Sequence, residues 1–204
     1  MKICTIIVTR SKSCSVKTLH TVLRLNIECI QRNVQNEILY VNDDPYEKID
    51  LIKKYMSKCD RIFFVDFGVN VDDASIRQVF ETHEGFGVVV FPGVKEGIDW
   101  GLFKQKVKEG STEPVSQMGL HFDTEVGKKA SKDIYKVTKT EARAWVMMNK
   151  VVSKKGIKLS MPNMFDKMME QGIKIYAFTA SKLTMTYPHE CISNILSAAG
   201  VKTN

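Results

Sequence analysis

RIFFVDFGVNVDD, Arg61 to Asp73, is the stretch on which the fold turns. Ile62 to Val65 are bulky and apolar at every position. The run predicts a strand over Arg61 to Asp66 (RIFFVD), buried on both faces as strands inside parallel sheets are. Asp66-Phe67-Gly68 breaks the run. Asp72 or Asp73 then offers a cap for a helix over Ala74 to Thr82. A buried strand, a polar turn and a helix make half of a strand–helix–strand unit.

The same unit repeats outward from it. Ile3 to Val8 (ICTIIV) predicts a strand, followed by the polar loop Thr9-Arg10-Ser11-Lys12-Ser13 and a helix over Val16 to Leu25 with Ser15 as cap. Glu37 to Val41 (EILYV) predicts a second strand, ended by Asn42-Asp43-Asp44-Pro45 before a helix over Tyr46 to Met56. Gly87 to Phe91 predicts a fourth strand, stopped by Pro92-Gly93. Alternation of this kind implies a mostly parallel sheet covered by helices. Right-handed crossovers bring the strand ends to one edge, where such sheets bind ligands.

Beyond Phe91 the pattern loosens. Trp100 to Glu109 reads as a short helix, and Gln117 to Lys132 as loop with some strand. Ala142 to Val152 fits a strand or a helix equally. Pro162 to Gln171 reads as helix, Ile173 to Thr179 as strand, and Pro188 to Ala199 as a final helix ending at Gly200. The expected organisation is one α/β domain of 204 residues, with residues 1–92 and 93–204 as its two halves.

Composition narrows the function. The chain is 44% apolar and 26% charged, which is ordinary for a globular domain. A net charge of +7 points to anionic partners or to a solvated lysine-rich face. Lys128, Lys129 and Lys132 fit either description. The five cysteines form no CxxC and no zinc spacing, and read as reduced thiols. The N-terminal apolar run is too short for a signal-peptide core, and no stretch reaches the length of a membrane span. The expected location is the cytoplasm. No GxGxxG and no GxxxxGK[ST] occurs, which argues against a dinucleotide fingerprint and a P-loop.

Three predicted strands end in polar groups that the topology gathers. Thr9, Arg10 and Ser11 offer a cation and hydroxyls to a phosphate. Asn42, Asp43 and Asp44 offer acceptors to a ribose or a base. Asp66, followed by Phe67 and Gly68, offers a carboxylate to a divalent metal bridging a diphosphate.

With these residues in view, the chain resembles the nucleotide-sugar half of a GT-A glycosyltransferase. The resemblance is carried by IIVTRS (Ile6 to Ser11), TLHTVLRL (Thr18 to Leu25), VNDD (Val41 to Asp44) and RIFFVDFGVNVDD. FPGVKEGIDWGLF (Phe91 to Phe103) and MGLHFDTEVG (Met118 to Gly127) are similar to glycosyltransferase domains encoded by large chlorella-type DNA viruses of algae. The resemblance implies a Rossmann-like mixed sheet and transfer from a nucleoside-diphosphate sugar, UDP favoured, to a glycan or glycoprotein acceptor. For a viral protein it implies work in the host cytoplasm. It also implies Mn2+ or Mg2+ held by an Asp-x-Asp motif. Asp66 matches the first aspartate, but Gly68 stands at the second. Asp66 alone, Asp72 or Asp73 assisting, or no metal at all are the alternatives. His189 is a further metal candidate, as some GT-A enzymes use a late histidine.

Sugar transfer also needs an acceptor base. Asp123 and Glu125, with His121, would share one face of an extended stretch, and Asp99 beside Trp100 is a second candidate. A non-catalytic nucleotide- or glycan-binding module of the same shape is the alternative, favoured by Gly68. A nucleic-acid-binding protein is the third reading. It rests on charge alone, since aromatic residues are not interleaved with Lys or Arg.

Overall fold

The computed structural model describes residues 1–94, 98–112, 115, 118–160 and 162–180. The predicted helix at Pro188 to Ala199 and His189 therefore lie outside the described residues.

Among the described residues the chain forms one mixed eight-stranded sheet with helices on both faces. Its elements are β1 (Lys2–Thr9), α1 (Val16–Gln31), β2 (Gln35–Asn42), α2 (Pro45–Met56), β3 (Arg61–Val65), α3 (Asp73–Gln78), β4 (Val88–Val90), α4 (Trp100–Lys108), β5 (Thr124–Ser131), β6 (Ile134–Thr140), β7 (Ala144–Met148), α5 (Asn149–Ser153), α6 (Met164–Glu170) and β8 (Ile175–Phe178). The strand order is β2-β1-β3-β7-β4-β8-β6-β5. β1 pairs in parallel with β2 and β3, and β4 with β8. β7 runs antiparallel between β3 and β4. The segment that fitted strand and helix equally is both: β7 runs straight into α5.

Alternation decides what each face buries. Ile62 and Phe64 face a core closed by Ile49 and Ile52 of α2 and by Met164, Phe165 and Met168 of α6. Phe63 and Val65 face the other core, closed by Leu25 and Cys29 of α1, by Ile76 of α3 and by Val79 just after it. Trp145 of β7 lies flat on Phe64, with ring centroids 4.9 Å apart and planes 5° apart. Phe165 meets the indole edge-on at 5.9 Å. At the other end of β3, Arg61 is 7% exposed. Its guanidinium donates to the carbonyls of Val79 and Glu81 and to the Thr82 hydroxyl, tying the chain after α3 to the sheet.

α3 stops at Gln78, short of the expected Thr82, where Arg61 takes up those carbonyls. β6 has no counterpart among the expected elements. Its buried residues Ile134, Val137 and Thr140 recur every three positions, because the β5–β6 ladder shifts register three times. β5, at the edge of the sheet, is exposed at every position after Thr124. Among the described residues no helix is long and apolar enough to cross a membrane.

Candidate functional site

The C-terminal ends of β1, β2 and β3 lie side by side, because these strands are parallel and in register: Thr9 sits opposite Asn42, and Ile7 opposite Val65. β7 is antiparallel, so its first residues reach the same edge, and Ala144 pairs with Val65. Arg143 therefore stands next to Asp66.

Most polar residues at this rim have a definable partner. The Thr9 hydroxyl donates to the Val41 carbonyl. Arg10 and Ser13 close a tight turn by mutual backbone bonds of 3.2 and 2.9 Å. Ser11 and Lys12 at its centre have φ of 49° and 59°, the left-handed pair such a turn demands. That turn aims Arg10 at Asp43, with Nε donating to Oδ2 at 2.7 Å. The guanidinium also lies over the Phe67 ring, 5.2 Å from its centroid. The Asp43 carboxylate accepts from Lys48 as well. Burial would raise the Asp43 carboxyl, but the hydrogen bonds from Lys48 and Arg10 outweigh it and hold it below the usual range. Lys48 sits in the first turn of α2, where the helix dipole disfavours a cation, and Asp43 offsets this. Asn42 donates to Glu47, and Asp44 caps α2 through the N–H groups of Tyr46 and Glu47.

Asp66 is the centre of a second pair. Arg143 Nε donates to Oδ2 at 2.9 Å, and the Phe67 N–H donates to Oδ1 at 2.8 Å. Arg143 also donates to the Phe67 carbonyl at 2.7 Å. Gly68 follows at φ 78°, with its N–H bonded to the Thr18 hydroxyl. A side chain there is strained, which accounts for glycine at the second position of the expected metal motif. Lys48, Asp66, Lys139, Glu141, Arg143 and Trp145 are among the residues lining a cavity of about 480 Å³. A second cavity, of about 740 Å³, opens beside β2 and includes Thr9, Lys12, Tyr40 and Asn42 in its walls.

The residues expected on the acceptor side part company. Asp99 caps α4 at the Leu102 N–H and accepts from His121 Nε2 at 2.8 Å. Those two bonds, in that order, hold its carboxyl below the usual range. Both side chains are exposed, as is Trp100. Asp123 and Glu125 do not share a face. Glu125 is exposed on β5 opposite Lys139, whereas Asp123 is 5% exposed. The backbone turns Asp123 inward at Gly93, whose N–H donates to Oδ1, while the Thr124 hydroxyl donates to the same oxygen. Oδ2 is buried with no hydrogen-bond partner among the described residues. Burial raises the Asp123 carboxyl above the usual range.

A pH dependence follows from that burial. A carboxyl whose pKa is raised by folding contributes stability that is complete below its unfolded value, and loses it as pH rises through the folded one. Asp123→Asn removes the loss. The melting temperature of the variant, relative to the parent, should therefore rise as the pH climbs above about 4, the unfolded value. A difference that stays constant or falls over that range would show the carboxylate to be well solvated.

The described residues do not fit Mn2+ or Mg2+, which ask for several oxygen ligands. No group of three His, Cys, Asp or Glu side chains among them is placed to hold a metal. Both oxygens of Asp66 accept from Phe67 and Arg143. Asp72 caps α3 through the Ser75 N–H and hydroxyl, and Asp73 pairs with Arg24 at 2.7 Å. Arg143, Lys48 and His121 are the polar neighbours to which the sequence assigned no role of their own.

No protein family and no curated protein matches the sequence. Among solved structures the chain is similar to GalNAc-T7 crystallised with UDP, GalNAc and Mn2+, at 10% identity and a TM-score of 0.49, over 93% of this chain. It spans 44% of that protein's length. It is also similar to the inositol-1-phosphate CTP transferase of T. maritima, at 12% identity and a TM-score of 0.42, over 98% of this chain and 78% of that one.

Proposed function

We propose that the protein transfers a sugar from a nucleoside-diphosphate sugar, a UDP-sugar first among them, to a glycan acceptor. The observation that carries this reading is the rim at the ends of β1, β2 and β3. There Lys48, Asp66 and Arg143 line the smaller cavity, Arg10 and Lys48 both pair with Asp43, and Thr9 and Asn42 stand in the wall of the larger cavity.

Transfer makes the anomeric carbon electron-poor and loads charge onto the departing diphosphate, so preset cations must lie where that charge develops. Thr9 and Asn42, in the wall of the larger cavity, would meet the nucleoside. Arg10 and Lys48 would meet the phosphates. The acceptor hydroxyl must give up its proton as it attacks. The Asp99–His121 pair supports that role best: the imidazole is exposed, and the carboxylate on Nε2 orients it. Asp123 and Glu125 are the other candidates. The buried Asp123 would act by shaping the turn at Gly93.

A panel of nucleotide sugars tests the reading. A UDP- or GDP-sugar should raise the melting temperature, and Asp66→Ala should abolish the rise, because it leaves Arg143 without its orienting carboxylate. A flat response across the whole panel would refute the reading. A non-catalytic module of the same shape is favoured by Gly68 and by the Asp66–Arg143 pair. Release of free sugar from a bound donor separates the two, since a module would bind without turnover.

A further inference from the structure

We propose that the rim takes the pyrophosphate of a nucleotide on side-chain cations, Arg143 foremost and Lys48 beside it, with no divalent metal. The inference rests on the transferase reading and deepens it.

Three observations lead there. First, Arg143 already holds the carboxylate a metal would need. Its Nε lies 2.9 Å from Asp66 Oδ2. A metal bound to that oxygen at about 2.1 Å would sit no more than about 5 Å from a guanidinium nitrogen, and the two positive charges would repel. Second, the described carboxylates do not gather into a coordination shell: Glu141 and Asp166 line the same cavity as Asp66, but no group of three His, Cys, Asp or Glu among the described residues is placed to hold a metal. Asp72 caps a helix, Asp73 pairs with Arg24, and Gly68 supplies no oxygen side chain. Third, the cations are held in place. Arg143 is fixed by Asp66 and by the Phe67 carbonyl, and its side chain is 16% exposed. Lys48 is fixed by Asp43 and is 14% exposed. Both line the same cavity. Arg10, on the far side of Asp43, completes a row of three cations. A planar guanidinium held this way suits phosphate oxygens, and charge-assisted bonds of this type are the strong ones.

Asp66 then acts as a positioning residue. It orients Arg143 and touches neither metal nor phosphate. Its loss weakens binding equally whether or not metal is present.

The test uses the full chain with UDP and, separately, inorganic pyrophosphate, each in EDTA and each with Mn2+. Binding is read by calorimetry and by melting temperature. UDP should bind with the same affinity in both conditions, and pyrophosphate alone should bind in EDTA. Arg143→Gln should lower affinity about ten-fold or more in EDTA, and Lys48→Met should lower it by less. Asp66→Asn should weaken UDP by the same factor with and without Mn2+. Far-UV circular dichroism shows that each variant is folded, and the wild-type comparison needs no variant. Binding that appears only with Mn2+ would overturn this inference and leave the transferase reading standing. No binding of UDP or of any nucleotide sugar in either condition would overturn both.

Discussion

Trp145→Ala should destabilise the protein by about 3–5 kcal/mol, the range for emptying a large aromatic site in a packed core. The indole is 2% exposed and is gripped on two sides. Phe64 of β3 stacks on its face at 4.9 Å, and Phe165 of α6 meets it edge-on at 5.9 Å. The aromatic pairs add about 0.5–1.5 kcal/mol each beyond burial. Trp145 lies at the centre of the sheet, so the void cannot be filled by a loop moving in. It also lines the smaller cavity, so α6 should loosen and that cavity widen. In a domain of this size the melting temperature should fall on the order of 10 °C. Trp145→Phe keeps one ring and should lose roughly half as much. Urea unfolding of both variants decides it. A loss below about 1 kcal/mol for the alanine variant would mean that Phe64 and Phe165 collapse onto each other.

Arg61→Met should cost about 2–4 kcal/mol for a different reason. Methionine replaces the buried stem well but donates nothing. The carbonyls of Val79 and Glu81 and the Thr82 hydroxyl would lose their donors. Burial already pulls the guanidinium's pKa down, against the nearby Glu81 and Asp60. Arg61→Lys keeps the charge but loses the fork, since one ammonium cannot span the three acceptors, and should fall between the two. Hydrogen exchange of residues 79–82 should quicken in both variants. An unchanged exchange rate with an unchanged urea midpoint would show that water already serves these carbonyls.

The first half of the fold was legible because its strands are continuous apolar runs. Ile3 to Val8 and Ile62 to Val65 admit few readings beside buried strands, and their polar ends follow from parallel pairing. Asp44, Asp72 and Asp99 were legible as caps or as site residues, and the structure uses each as a cap. β7 could not be separated from α5, because AWVMMNKVV is apolar but for Asn149 and Lys150 and no period distinguishes a short buried strand from a buried helix. That one ambiguity hid Arg143. Only an antiparallel strand inserted between β3 and β4 carries the residue just before it to the rim, and strand insertion is decided by distant pairing. Asp123 was misplaced for a related reason. Strict alternation would set it beside His121 and Glu125, but the bond from the Gly93 N–H turns it into the interior. Lys48 looked like any lysine on a helix surface until Asp43 was seen against it.

The outermost strand carries a consequence for behaviour in concentrated solution. β5 ends the sheet with its backbone open to water, and such an edge invites pairing with another copy. Its ladder to β6 slips three times, so it presents no straight row of donors and acceptors to a visitor. Lys128 and Lys129 sit on it, and a second molecule approaching along this border would set ammonium against ammonium. The border thus resists fibre-like stacking, and replacing both lysines with valine should make the chain aggregate as salt is added.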